Sequence, residues 1–520
     1  MSSGTTSYPG VSAPPWAGEE RGTVGFPSSA YQTMAERWDL IHDLWGGTRA
    51  MRAAGSKWLP ANEAEATVAW ERRRDMTILY DVFRDTASGI VDRPFSHDIT
   101  FEGEESLDAR VLPILTDADR QRTSLTSFAR AMLLDAVLHG MTHVLVDFPT
   151  GVKAENAEAE KQAGIRPYLA LVSASDLLEA KPERTPSGVD VVKRVRIKSQ
   201  RVEPDGTWGD RVVKYVKVIE FGNVAGSPWQ LWRKDPTTMK WEKREEGTHD
   251  FIGVPFVTLY LEREGFMLSN PPLDPLAWQC LRHWQSTSDQ NSILHISRFA
   301  QLLLRGFSKE DAKRVELGPY TALRTDKSPQ EADASYIQAG GPSIEAGFKD
   351  IAQIEDRLQS FGAEHIDRQT GTVVATARAL TEVRETSAVQ SWLRAAELTL
   401  MRSIEIAHQW YHGPGYMLPE EFKLDIYNEF SLGSRSTEDL ATLDRMHARG
   451  KLSDETMLRE CQRRGTLAGN VDIDAEVAWI EEKHEENMEL LSGTHEEGGE
   501  PGEPEPESGT GKQMPNRMTG

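Results

Sequence analysis

Apolar residues recur every three or four positions over two long stretches past the middle of the chain. Ile344, Phe348, Ile351, Ile354, Leu358 and Phe361 share one face of a helix predicted over 344–366. A second helix is predicted over 377–412; it has no internal proline or glycine, and Gly413-Pro414-Gly415 ends it. At 1.5 Å per residue that helix would be about 50 Å long, several times the usual globular length. A short polar hinge, from His365 to Thr372, separates the two. Such a rod suits a protein that spans a particle or lines a tunnel.

The pattern elsewhere predicts a mixed architecture. Residues 1–27, rich in Ser, Gly, Thr and Pro, are expected to be disordered. Met34, Trp38, Ile41, Leu44 and Trp45 mark a first helix, closed by Gly46-Gly47. Val68, Met76, Leu79, Val82, Phe83 and Ile90 mark one further helix from about Glu63 to Pro94. A helix over 123–138 ends at Gly140 and leads into a buried strand over 143–148. A mixed sheet is predicted between 167 and 261, from strands at 168–172, 191–197, 212–220, 229–232 and 254–260. Asp205-Gly206 and Pro186-Ser187-Gly188 supply turns between them. A helix over 274–295 precedes short strands at 299–304, 322–324 and 335–337. A strand at 422–427 is expected to return to the sheet, before a helical group over 437–485. The fold class is α+β.

Composition narrows the function. The 520 residues suffice for more than one core, and a hydrophobic share of 38% with 41 glycines is ordinary for a folded protein. The net charge of −22, concentrated in a glutamate-rich tail from 486 onward, argues against tight electrostatic binding of nucleic acid. Two cysteines, Cys280 and Cys461, exclude a disulfide framework and a cysteine-based zinc site. No run approaches the roughly 20 apolar residues of a membrane helix. Residues 1–27 also lack a signal-peptide pattern, so a soluble protein made in a reducing compartment is expected.

Catalytic spacing is scarce. His-Glu-x-x-His, G-x-S-x-G and G-x-G-x-x-G are absent from the sequence. Gly509-Thr510-Gly511-Lys512 lacks the earlier glycine and the preceding strand of a phosphate loop. His139 and His143 read as packed histidines, and Asp472 and Asp474 as helix-capping carboxylates, rather than metal ligands. Trp278, Trp284, Trp392 and Trp410 lie on amphipathic helices and read as core or interface residues. Arg368, Arg378 and Arg384, at and after the hinge, carry sparse positive charge that symmetry would multiply around a pore. The competing class is a metal-dependent hydrolase acting on nucleic acid or polysaccharide, supported only by the abundance of Asp, Glu and Trp.

Four segments, in order, carry a family resemblance. The first is Trp38-Asp39-Leu40-Ile41-His42-Asp43-Leu44, then Gly47-Thr48-Arg49-Ala50-Met51-Arg52-Ala53-Ala54-Gly55 and Leu59-Pro60. The second runs over 272–295 with Asp289-Gln290-Asn291, and the third opens the long helix from Thr370-Gly371-Thr372 to Ala379. The fourth is Gly450-Lys451-Leu452-Ser453-Asp454-Glu455-Thr456, then Arg464-Gly465, Asp472 and Glu476. Over about 30–485 the chain resembles the portal proteins, or head–tail connectors, of tailed double-stranded DNA phages.

The resemblance implies a non-enzymatic ring, typically of twelve copies, at the capsid vertex of a virion. Such a ring passes DNA during packaging and ejection, and its chains are made in the host cytoplasm. Carried onto this chain, it divides 28–262 as the wing, 263–297 as a stem helix and 298–342 as the clip. Residues 343–366 become the returning stem helix, 367–376 the tunnel loop, and 377–413 the long tunnel-side helix. Residues 414–433 become a wing strand and 434–485 the crown, with 486–520 an acidic disordered tail. Asp367, Arg368, Gln369, Thr370, Gly371, Thr372 and Arg378 would face DNA; Arg305, Lys309, Arg324 and Lys327 would dock partners at the clip. Implied partners are other copies of the chain, double-stranded DNA held without base reading, the terminase large subunit, head-completion and adaptor proteins, and the major capsid and scaffolding proteins. Neither a cofactor nor a metal nor a membrane is implied.

Overall fold

A computed structural model of the chain describes residues 19–63, 65–149, 165–184, 188, 190–222, 226–298, 301–306, 333–337, 341–363, 375–427, 437–463, 466–467, 471, 473, 475–480 and 482–483. The chain divides into two units, 1–428 and 429–520.

In the first unit, α1 (Ser29–Trp45) starts where the Ser28 hydroxyl accepts the Tyr31 N–H, and it buries Met34, Trp38, Ile41 and Leu44. α2 (Gly47–Ala54) follows at once. The single helix expected from Glu63 to Pro94 is instead α3 (Thr67–Met76) and α4 (Val82–Asp92). The break is built by polar contacts that hydropathy does not reveal. Thr77 is extended, with ψ 135°. Its hydroxyl donates to the Arg73 carbonyl at 2.7 Å, and its own carbonyl accepts Arg52 Nε and Nη2 at 3.0 and 2.9 Å. The Leu79 N–H, which a continuous helix would use internally, donates to Thr48 Oγ1 at 3.1 Å.

β1 (Thr100–Glu102) leads toward α5 (Leu125–His139), which Ser124 caps at its start. Gly140 ends it at φ +82°, and an added Cβ would stand 2.8 Å from the Asn270 carbonyl oxygen. Gly140→Ala therefore combines left-handed strain with a backbone clash, and is expected to cost about 1–3 kcal/mol in urea unfolding.

The sheet expected over 167–261 is two sheets, and both are antiparallel throughout. β2 (Met141–Asp147) is the centre of a three-stranded sheet between β3 (Tyr168–Ser173) and β9 (Phe256–Tyr260). Between those partners comes a five-stranded meander in sequence order: β4 (Leu177–Arg184), β5 (Asp190–Asp205), β6 (Gly209–Glu220), β7 (Ser227–Lys234) and β8 (Trp241–His249). Met34 and Trp38 of α1 pack with Val216 and Val218 on one face of the meander. Val195, Ile197 and Ile219 pack with Leu145 and Val172 of the smaller sheet on the other.

Part of the segment expected to be disordered is folded onto the first of these faces. The Glu19 carboxylate accepts Lys234 Nζ at 2.5 Å and Trp241 Nε1 at 3.0 Å. Arg196 donates to the carbonyls of Val24 and Phe26 at 2.7 and 2.8 Å. These charged and backbone contacts are long-range, so the Ser/Gly/Pro-rich composition gives no hint of them.

After the short pair β10 (Arg263–Gly265) and β11 (Leu268–Ser269) come α6 (Asp274–Arg298) and a hairpin of β12 (Gln301–Arg305) with β13 (Asp333–Ile337). The expected strand at 322–324 lies outside the described residues. α7 (Gly341–Ala363) and α8 (Ala375–His412) are the two long helices; 38 residues make α8 roughly 57 Å long. Its carboxyl half packs on β2 and β9, burying Leu393, Ala396, Leu400, Ile404 and Ala407. The strand expected at 422–427 is β14 (Lys423–Asp425), and it joins neither large sheet. It pairs with β1, Phe101 opposite Leu424, and Phe422 and Ile426 on either side of it are buried.

In the second unit, α9 (Thr437–His447) and α10 (Asp454–Arg463) pack on each other, and a His447–Asp454 contact closes their connection. Asp472 and Asp474 lie outside the described residues.

Candidate assembly surface and channel segment

α6 and α7 run antiparallel as a polar-clipped pair. Gln290 donates to the Ile344 carbonyl at 2.9 Å, Arg282 and Ser286 both reach the Asp350 carboxylate, at 3.0 and 3.3 Å, and His283 meets Glu355 at 3.1 Å. Gly347 lets the helices approach, since a Cβ there would run into the Gln290 amide. Leu281, Trp284, Ile354 and Leu358 are buried.

A second clip ties α6 to the amino-terminal helices. The Arg73 guanidinium, almost wholly buried, forks onto Glu65 with bonds of 2.9 and 2.8 Å. It also reaches the Pro60 carbonyl at 2.9 Å, Asp289 at 3.2 Å and Ser288 at 3.4 Å. The Glu65 hydrogen bonds raise the Arg73 pKa, and the same bonds hold the Glu65 carboxyl below its usual range.

The outer faces of the long helices are not all polar. Trp278 and Ile293 on α6, Phe348 and Phe361 on α7, and Leu398 on α8 are exposed. Of the four tryptophans singled out by sequence, Trp284 and Trp392 are core residues and Trp278 is a surface one. Trp410 stacks with Phe148, His249 and Phe251 at ring separations of 5.2–5.3 Å.

Of the clip residues named from sequence, Arg305 is the last residue of β12, exposed and paired in register with Asp333. Lys309, Arg324 and Lys327 lie outside the described residues. So do Asp367, Arg368, Gln369, Thr370, Gly371 and Thr372. Arg378 and Arg384 fall within α8, in its amino-terminal third.

The packed reading of the histidines holds, and its partners were not visible in the sequence. His139 Nδ1 donates to the Asp135 carboxylate at 3.0 Å, and its Nε2 lies 2.7 Å from His42 Nε2 on α1. Burial lowers the His139 pKa, but the Asp135 charge and hydrogen bonds outweigh it, and the net shift is upward. Burial and the neighbouring His139 push His42 down to about 3. His139 is therefore the imidazolium, donating to both partners. His143, wholly buried with Nδ1 3.0 Å from the Thr258 hydroxyl, is pushed down to about 3 by burial. Among the described residues no group of three or more His, Cys, Asp or Glu is placed to hold a metal ion. Among them, too, no helix is long and apolar enough to cross a membrane.

A protein-family model described as a domain of unknown function (DUF4055) matches residues 272–411, the stretch that holds α6, the β12–β13 hairpin, α7 and nearly all of α8. No curated protein matches the chain. Similar solved structures include a chain from the "Virion of native gene transfer agent (GTA) particle", 12% identical, TM-score 0.38, covering 80% of this chain and 97% of that one. Another comes from the "Neck of empty GTA particle computed with C6 symmetry", 10% identical, TM-score 0.37, covering 77% and 95%. Superposition at that level leaves the functional argument to the chain's own residues.

Proposed function

We propose that this chain is the subunit of a ring-shaped DNA conduit, a portal-type head–tail connector of a phage-like particle. The observation that carries the reading is the succession of α6, hairpin, α7 and 38-residue α8 springing from an α/β body. That order is the one the four resembling segments imply. The apolar residues left exposed on α6 and α7, Trp278, Ile293, Phe348 and Phe361, support it, because helices carrying large apolar side chains on outer faces are stabilised by neighbours.

In this reading copies of the chain pack side by side through those helices, heterologously, so that the contact closes into a ring of twelve. Residues 367–372 and Arg378 line the lumen, and Arg305, Lys309, Arg324 and Lys327 face the packaging motor and head-completion proteins. Capsid and scaffolding proteins surround the wing. The acidic balance of the chain keeps DNA sliding, because phosphate repulsion denies it the counterion release that makes duplex binding tight.

Electron microscopy and native mass measurement of the purified chain test this. The expected result is a closed ring with a central channel wide enough for a duplex, and its loss in Phe348→Lys. A strictly monomeric particle across salt and protein concentration overturns the proposal.

A further inference from the structure

The β5–β6 hairpin runs past its neighbours. β4 pairs with β5 only as far as Ile197, and β7 pairs with β6 only from Tyr215 onward. Beyond those points residues 198–214 form a two-stranded arm, turned at Asp205 to Gly209. Isolated two-stranded ribbons are marginal in water, so an arm of this kind needs cover on at least one face. One face has it: Val213 and Tyr215 pack with Leu231, and Arg233 forks onto Glu203.

The opposite face continues the surface on which α1 packs, through Val216 and Val218, but α1 does not reach the arm. There Val202 and Val212 stand directly opposite each other, 60% and 59% exposed, and Trp208 in the turn is 98% exposed. An apolar cross-strand pair beside a bare tryptophan is an unpartnered sheet face.

The described chain begins beside that face. Glu19 is anchored to Lys234 and Trp241, on the α1 side of the meander. Arg233 pairs with Tyr215, so Lys234 lies one strand over from Lys214, about 4.8 Å away, and Val212 is some 7 Å further along β6. Trp16 precedes Glu19 by three residues, a reach of up to about 10 Å, and Val11 and Tyr8 follow on the same tether. A segment held this close by its own chain has an effective concentration in the millimolar range, which a second copy or a separate protein must exceed.

We infer that residues 1–18 are the occupant of this face: a strap led by Trp16 that lies over Val202 and Val212 of its own chain and steadies the arm. This inference stands apart from the ring reading.

The test uses the full chain with Cys461→Ser, leaving only Cys280, which is buried and whose thiol is pushed up to about 12 by that burial. Trp16→Cys and Val202→Cys are added together and oxidised. The expected result is a disulfide within one chain in most molecules, read by non-reducing gel and peptide mapping. As an independent readout, Val202→Asp, at an exposed position, is expected to speed hydrogen exchange of residues 8–17 at least tenfold. Disulfides formed only between chains would assign the face to a second copy and overturn the inference. No disulfide, or exchange unchanged by Val202→Asp, overturns it as well.

Discussion

Arg73→Ala is expected to lower the unfolding free energy by about 3–5 kcal/mol, the usual cost of breaking a buried ion pair from one side. The loss follows from what remains. Glu65 keeps a largely buried carboxylate with no guanidinium, the Pro60 carbonyl loses a donor, and α3 loses its link to Ser288 and Asp289 on α6. Urea unfolding measures it. The paired replacement Arg73→Met with Glu65→Met is expected to recover a large part of the loss, since well-packed apolar residues remove the stranded charge. If both variants fall equally, the guanidinium matters through its shape and not its charge. Because α6 opens the segment proposed to assemble, Arg73→Ala is also expected to reduce ring yield before it abolishes folding.

Acidification is expected to cost the protein stability steeply, through neutral buried histidines. His42 and His143 sit near 3 in the fold against about 6.5 in an unfolded chain. Between those values the unfolded state binds more protons than the folded one, so stability falls as pH falls. Two such groups give a slope of about 2.7 kcal/mol per pH unit in the window from pH 6 to 4.5. His139 acts with the opposite sign. Its folded pKa is raised, so its contribution is fully present below about 6.5 and is lost as pH rises through the folded value. Urea midpoints across pH 4.5–9 test both limbs. His143→Gln should roughly halve the acid slope, and Asp135→Asn should remove the alkaline limb along with part of the stability. An acid slope unchanged by His143→Gln would mean that His143 is not buried as a neutral group.

The legible and illegible parts of this fold divide by the range of the interactions. α5 was readable because Ser124, its apolar spacing and Gly140 all lie within sixteen residues. The β5–β6 turn was readable because Asp205-Gly206 interrupts two alternating runs. β4 and β8 were missed because they are the edges of the meander. Pro182 in β4 looks like a breaker but is tolerated at an edge, and Trp241–His249 is so heavily charged that no alternation survives. The α3–α4 break depends on Arg52 and Thr48, and the histidine pair joins positions 97 residues apart. No local pattern encodes either. Of the site, the sequence located the helices and the helix Arg378 occupies, while the Arg73 clip and the exposed Trp278 and Phe348 required the packing to be seen.

The strand order β3-β2-β9 has a consequence for how the chain reaches its native state. β2 cannot complete its ladder until β9 arrives, roughly 110 residues later, whereas every strand of the meander pairs with its immediate successor. Closing that long loop through disordered chain costs entropy, but a meander that forms first brings the ends of the loop together. The five-stranded sheet thus acts as an early folding unit, and the central sheet, with α8 laid across it, is the late step on which the rest of the body waits.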